Sequence, residues 1–504
     1  MLHALAFVFA AIAFVPLDDR PVTAQLPAML GRIAGVTVKM PPPGDLGHYL
    51  TPGNSDAIVR WIDHEAADPK NHAFVISSDM LAYGGLVASR APGATYADAY
   101  FRLQELRALR AARRDAWIGA FGTVMRLAPT GAPASSGFFA AYPAWTYLQQ
   151  YANLHDPPTI GETETARKLR DEMTPAVLDA YLATRARNLA VDRYLVKLTA
   201  AGAIDRLALG QDDAGPVGLH VREVALLESE VRQAGLDDRV SIEPGADELG
   251  MALVAQAIAR RARWAPHVGV RYSRPGGAGF QDPLEFAPIA DAIGGLIALC
   301  GGVRDDDKPD VVLYVRVPQT RAPQDDAFVA AMTNDVAAGR SVALADLSFL
   351  ESYSTQSAFA QRILRSGLAA RLDAYAAWNT NANTVGTALA EAIAAGSGRR
   401  SGTYDRLAHR TFTFVRFVDD YAFHDDVRPE LNAQLDARAI PDHTLLAPDV
   451  AAESAARSRA LLWGRAQSIL NLLDPGYHIA AMNLGLPWNR TFETRIDVGI
   501  APNL

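Results

Sequence analysis

Short, almost continuous apolar runs recur along the chain. They lie at Ala13 to Leu17, Val36 to Met40, His72 to Ser77, Ala116 to Phe121, Arg206 to Leu209, Val240 to Ile242, Val268 to Tyr272, Val311 to Val315 and Val342 to Ala345. Runs of that length, apolar at odd and even positions alike, predict strands buried on both faces, as in a parallel sheet. Between them stand longer segments with apolar residues at helical spacing, among them Ala97 to Arg113, Pro175 to Ala200, Val221 to Ala234 and Phe328 to Ala338. Alternation of this kind predicts an α/β fold with helices on both faces of the sheet. The number of units fits a barrel or two consecutive doubly wound sheets, and the expectation is a barrel-like parallel sheet with surrounding helices over residues 14–395. A Gly/Ser/Arg-rich stretch from Ala395 to Thr403 predicts a boundary. Residues 396–504 then form a mainly helical C-terminal domain, with a strand-like segment at Thr491 to Val498. Residues 132–158 break the rhythm: they are rich in Gly, Pro, Ser and aromatics (Phe138, Phe139, Tyr142, Trp145, Tyr147, Tyr151), which suits a substrate lid or a small satellite core.

Size and charge narrow the partners. The chain has 504 residues, 49% of them hydrophobic, and a formal net charge of -8, enough for a large core and more than one domain. A mildly acidic chain lacks the basic face that nucleic acid requires, and many arginines (Arg107, Arg110, Arg113, Arg114) are spread along a helical segment like a solvated face. Cys300 is the one cysteine, so neither an internal disulfide nor a thiolate metal site is expected. The apolar residues Leu2 to Ala13 read either as a short signal segment, which would mean export, or as the first strand extended backwards. Asp18 and Asp19 arrive too early for a membrane span. Oligomeric state is left open.

Acids and amides collect where the strands should end. Ser241 to Gly250 is the sharpest case: Pro244 and Gly245 stop a strand, a helix begins near Met251, and Asp247 and Glu248 occupy the junction. Such junctions line the ligand crevice of α/β folds. Adjacent carboxylates there can divide their roles, one ionised and one holding a proton, although acids in a first helical turn also simply suit the helix dipole. The same pattern recurs at Asp18-Asp19-Arg20, at Asp79 to Gly85 with Tyr83, at Asp212-Asp213, at Arg271, at Asp346 and at Trp378-Asn379-Thr380-Asn381-Ala382-Asn383. One such cluster is an ordinary turn; a series at successive strand ends predicts one polar pocket on one face.

Several stretches resemble the bacterial family catalogued as domain of unknown function 4127: VPLDDRPV (15–22), SSDMLAYGGLVASR (77–90), GQDDAGPVG (210–218), GADELGM (245–251), AWNTNANTVGTALA (377–390), RFVDDYAFHDD (416–426) and LPWNRTFE (486–493). That family implies no activity. Two shorter likenesses imply one. GADEL resembles the Gly-Gly-Asp-Glu stretch of family 20 hexosaminidases, and the Asp-Asp pair of GQDDAGP resembles the adjacent aspartates of family 84 hexosaminidases. Both act on a barrel with the substrate's own N-acetyl oxygen as nucleophile. The likeness implies Glu248 as proton donor and Asp247 as the group steadying an acetamido substituent.

The expectation is therefore a glycoside hydrolase on a sugar, N-acetylated or not, using carboxylate acid/base catalysis, with a carbohydrate or other small polar substrate and no cofactor, nucleic acid or membrane as partner. Glu248 and Asp247, or Asp212 and Asp213, carry the chemistry. Asp18, Asp19 and Asp79 suit sugar hydroxyls. Arg20 and Arg90 orient those acids or bind an anionic substituent; for Arg20 the plainer role is an ion pair with Asp18 or Asp19. Tyr83 and Trp378 can stack on a sugar, though large aromatics are mostly core. Asn379, Asn381 and Asn383 offer neutral hydrogen bonds, or a helix cap. Arg271 and Asp346 complete the candidate binding residues. Two alternatives stand. In one, Asp18, Asp79, Asp212 and Asp247 hold Mg²⁺ or Ca²⁺ for phosphate or sulfate ester hydrolysis; zinc is disfavoured for want of ligand spacing. The other is a non-catalytic carbohydrate-binding protein. The C-terminal acids Asp419 and Asp420, with Tyr421 and His424 to Asp426, reach the pocket or cap a helix, and Pro487 to Arg490 reads as a structural turn around a buried indole.

Overall fold

The computed structural model describes residues 11–128, 145–173, 175–350 and 353–503. Residues 1–10, and residues 132–144 of the aromatic-rich stretch, lie outside them. The first six strands are β1 (Ala11–Val15), β2 (Thr37–Lys39), β3 (Asn71–Ser77), β4 (Trp117–Val124), β5 (Arg206–Gln211) and β6 (Val240–Pro244). They form one parallel sheet in the order β2-β1-β3-β4-β5-β6. The next five are β7 (His267–Tyr272), β8 (Val303–Arg304), β9 (Val311–Arg316), β10 (Ser341–Asp346) and β11 (Ala374–Ala376). They form a second parallel sheet, β11-β10-β9-β7-β8. The last two, β12 (Tyr477–Gly485) and β13 (Arg495–Pro502), pair as an antiparallel hairpin.

The parallel α/β architecture is as expected, but the strands are divided between two open sheets where one barrel-like sheet was expected. The reason lies in two helices. Leu249–Arg261 buries nearly every residue from Leu249 to Ala259 and packs against β1, β3 and β4 on one side and the Asn381–Ser401 helix on the other. Asn381–Ser401 buries 17 of its 21 residues and packs on β9, β10 and β11. Helices buried all round sit inside the molecule, and these two occupy the space between the sheets that closure would leave to strand side chains alone. Small residues permit the close fit. A Cβ on Gly250 would stand 3.0 Å from the Phe14 ring.

The stretch from Ala395 to Thr403 forms the last turns of the Asn381–Ser401 helix, stopped by Gly402 at φ 68°. The C-terminal region beyond it is mainly helical: Arg406–Arg416, the π-helical stretch Phe417–Val427, Arg428–Ala437 and Pro448–Leu473. The expected terminal strand is β13. Among the described residues no helix is long and apolar enough to cross a membrane.

Candidate active site

At the carboxyl ends of the first sheet lies a cavity of about 280 Å³. Five strand ends supply its walls: Arg20 after β1, Leu86 and Arg90 after β3, Arg126 after β4, Asp212 and Asp213 after β5, and Gly245, Ala246 and Asp247 after β6. The second half of the chain closes it with Asn379, Thr380 and Asn383 from the start of the Asn381–Ser401 helix, and Trp488, Arg490 and Phe492 from between β12 and β13. A larger groove of about 570 Å³ runs beside the Leu26–Ile33 helix and the hairpin; of the strand-end acids only Asp19 lines it.

The cavity acids are held by arginines. Arg20 is buried and donates from Nε to Asp18 Oδ1 (3.0 Å) and from Nη2 to Asp18 Oδ2 (2.8 Å). Its other edge donates to both oxygens of Asp247, at 3.0 and 2.6 Å. Burial opposes the charge of Arg20, yet Asp18 and Asp247 outweigh it and hold its proton more tightly than usual. Arg20 thus ties the ends of β1 and β6 together, and the ion-pair reading of this residue holds for Asp18, with Asp247 as a second partner. Arg90 pairs with Asp212, and Arg126 with Asp213 at 3.1 Å. Burial raises the Asp212 carboxyl above its ordinary range; Arg90 pulls it down, and Asp213 and Asp247 push it further up. Asp213 sits at φ 22°, a left-handed conformation that side chains rarely adopt and that tends to mark functional loops.

Glu248 is placed differently from its neighbour. It is wholly buried and accepts from Asn383 Nδ2 at 2.5 Å, while its Oε1 has no partner among the described residues. It lies behind the cavity wall, packed against Gly245 and Gly386: a Cβ on Gly386 would meet Glu248 Cγ at 2.5 Å, and one on Gly245, whose φ is 91°, would meet Oε1 at 2.3 Å. Burial, more than the charge of Asp247, raises its carboxyl well above the usual value. Asn383 stands between Glu248 and the cavity. Its Oδ1 accepts from Asn379 Nδ2 (2.6 Å) and Thr380 Oγ1 (3.1 Å), so the amide is fixed at both ends.

The remaining expected residues divide. Asp79 is buried below the cavity, bonded to Thr123, and burial pushes it up to about 7. Tyr83 is buried under the Arg187 guanidinium, 4.4 Å from its ring. Asp19 acts indirectly, accepting from Trp488 Nε1 and from His48, both at 2.7 Å. Trp378 is core, with Nε1 donating to Thr387 Oγ1 at 3.1 Å. Asn381 is buried beside Glu285, which burial pushes up to about 7. Arg271 and Asp346 belong to the second sheet, paired with Asp306 and Arg316 respectively. Asp18, Asp79, Asp212 and Asp247, the ligands of the cation reading, are engaged by Arg20, Thr123 and Arg90. No group of three or more His, Cys, Asp or Glu side chains is disposed to hold a metal ion among the described residues.

The sequence reading missed Arg126 and the Trp488–Phe492 wall. Arg126 ends the one strand of its neighbourhood that carries no acid, so no motif marked it. Trp488 and Asn489 do form a turn, at φ 58° and 53°, but this turn carries the indole and Arg490 into the cavity. Asp419 and Asp420 fix both walls without lining the cavity. Arg416 pairs with each at 2.9 Å; Asp420 Oδ2 accepts from the Ala377 amide (2.8 Å), and Asp419 Oδ1 from the amide and hydroxyl of Thr494 (3.1 and 2.5 Å). The first contact anchors the segment bearing Asn379 and Asn383, the second the segment bearing Trp488, Arg490 and Phe492.

In comparisons with known proteins, the model of the family described as "Protein of unknown function (DUF4127)" matches residues 12–497, nearly the whole chain. No curated protein and no solved structure matches.

Proposed function

The chain belongs to that DUF4127 family, and we propose that its cavity is the active site of a hydrolase cleaving a glycosidic bond in a small sugar substrate. The observation that carries this reading is the convergence of Asp212, Asp213 and Asp247, from the ends of two neighbouring strands, on one cavity. At about 280 Å³ the cavity falls near the lower end of small-molecule sites, roughly 300–1,000 Å³, which suits one sugar residue.

Glycoside cleavage requires a proton for the leaving oxygen, a carboxylate facing the developing positive charge, and water to complete the exchange. Asp212 is the proton donor in this reading, because burial and the nearby Asp213 and Asp247 raise its carboxyl, against the pull of its ion-pair partner Arg90 and of Arg126. Asp213 and Asp247, each in an ion pair with an arginine, supply negative charge. In the reaction the anomeric C–O bond breaks, the Asp212 proton goes to the departing oxygen, water adds its oxygen to the anomeric carbon, and the proton that water loses passes to the cavity carboxylates and restores protonated Asp212. Asn379 and Asn383 offer hydrogen bonds to hydroxyls. The role expected of Glu248 passes to Asp212, since Glu248 has no exposed surface in the cavity.

The test is turnover of a panel of aryl glycosides by the purified protein. Asp212→Asn should lower turnover by about 10²–10⁴-fold, the scale of a lost acid–base group. An inert wild type across the panel, or an Asp212→Asn protein as active as wild type, would overturn the proposal.

A further inference from the structure

Four guanidinium groups, Arg20, Arg90, Arg126 and Arg490, line the cavity alongside three carboxylates, and the four are not used alike. Arg20 is saturated: both edges of its fork meet carboxylates that are themselves buried. Arg90 is 6% exposed, gives one Nη2 to Asp212, and has an Nε without a partner among the described residues. Arg490 gives Nη2 to Glu493 at 2.7 Å, and its buried Nε likewise has no partner among them. Its guanidinium is also clamped, with Cζ 4.6 Å from the Trp488 ring centre and 5.0 Å from that of Phe492.

A guanidinium held between two aromatic faces keeps its plane and cannot swing away to another acid. Arg90 and Arg490 each give an Nη2 to one acid and keep further N–H groups on a fork that lines the cavity. The charges point the same way: burial and the nearby positive charge of Arg126 weaken the hold of Arg90 on its proton, and the neighbouring Asp212 and Asp213 only partly restore it. An oxyanion in the cavity accepts from the guanidinium N–H groups of Arg90 and Arg490 that face it, in the paired geometry arginine favours. A neutral hydroxyl satisfies a donor but leaves the charge.

We propose that the ligand of this cavity is an acidic sugar, carrying a carboxylate or phosphate group that Arg90 and Arg490 grip. The proposal rests on the cavity being the substrate site and is independent of which bond is cleaved there.

The experiment is calorimetric titration of the full chain with glucose, glucuronate and glucose 6-phosphate. At least one charged probe should bind tenfold or more tighter than glucose, roughly the scale of one charge-assisted hydrogen bond. Whichever probe shows the gain identifies the anion as carboxylate or phosphate. Arg490→Gln and Arg90→Gln should each erase most of the gain, and Arg490→Lys, which keeps the charge and loses the fork, should keep part of it. Thermal melts of each variant separate a lost contact from a lost fold. Equal binding of all three probes, absence of binding by both charged probes, or a gain unchanged in both glutamine variants overturns the inference. Hydrolysis of neutral glycosides without a charged-probe gain sinks this inference alone, whereas a charged-probe gain without any hydrolysis sinks the hydrolase reading alone.

Discussion

β5 and β6 of the first sheet end in Asp212, Asp213 and Asp247, which line a cavity. β9 and β10 of the second sheet end in Arg316 and Asp346, which meet each other at 3.3 Å with almost no exposed surface. The second set is closed. Arg316 also reaches Asp325 at 2.9 Å and lies over the Phe359 ring, and Asp346 takes a hydrogen bond from Ser348 Oγ at 2.6 Å. Charges closed off in this way organise packing, and removing one partner strands the other. Charges that face a cavity remain available to a ligand. Strand-end acids therefore do not identify a site by their position alone; what distinguishes them is whether another segment seals them. On the second sheet, helices and their connections do so. On the first, the C-terminal segments stop short and leave a hollow.

The largest separation between the two regions is expected from Asp346→Ala set beside Asp212→Asn. Asp346→Ala removes one carboxylate from buried Arg316, which keeps Asp325 among its partners, and should cost about 3 kcal/mol of stability, the low end for breaking a buried pair, with activity per folded molecule unchanged. Asp212→Asn, at the cavity, should reverse the pattern: chemistry lost and fold kept. Urea unfolding together with turnover measures both. If Asp346→Ala lost activity without losing stability, the second set of strand ends would be a working site and the contrast would fail.

How far the sequence revealed this contrast can be followed residue by residue. The parallel α/β class was legible because strands buried on both faces leave continuous apolar runs. The cavity acids were legible because each lies within a few residues of the end of such a run. The split into two sheets was not, since strand–helix alternation reads the same for either closure; the all-round apolar character of Leu249–Arg261 was the local hint. Nor was the pairing of Arg20 with Asp247, 227 positions apart, or the arrival of Trp488 beside Asp19, 469 positions away. Such contacts depend on how whole layers stack, which no local pattern records.

A middle-sized effect should appear with pH. Asp79 and Glu285 are buried around the cavity, and burial pushes both up to about 7. In the unfolded chain they release protons near their ordinary values, about 4. Between roughly pH 4 and 7 the folded chain thus binds more protons than the unfolded one, so the stability these groups confer falls as pH rises through that window and levels off above it. Each contributes on the order of 3–4 kcal/mol to that fall. Glu285→Gln should flatten part of the slope, because the amide keeps an acceptor for the Ala382 amide, now at 2.6 Å. Thermal melts of wild type and Glu285→Gln between pH 4.5 and 8 decide it, and identical slopes in the two proteins would contradict the assignment.

The smallest effect tests the comparison inside the first sheet, between neighbours at one helix start. Asp247 faces the cavity with Arg20, while Glu248 turns inward, 0% exposed, and meets Asn383 at 2.5 Å. A glutamine at 248 retains an acceptor for Asn383 Nδ2, and its added hydrogens replace little that the raised carboxyl did not already hold as a proton. Glu248→Gln should therefore change stability by about 1 kcal/mol, the net worth of one hydrogen bond, and turnover by less than tenfold, through the tilt of Asn383. Its KM should move more than its kcat, because the proposed reading gives Asn383 the sugar hydroxyls and not the breaking bond. Glu248→Ala empties the space beside Gly386, frees the Asn383 amide and should do worse on both counts. A thousandfold fall in kcat for Glu248→Gln, with the fold intact, would mean that the wall between this carboxyl and the cavity opens during the reaction and that Glu248, not Asp212, gives up the proton.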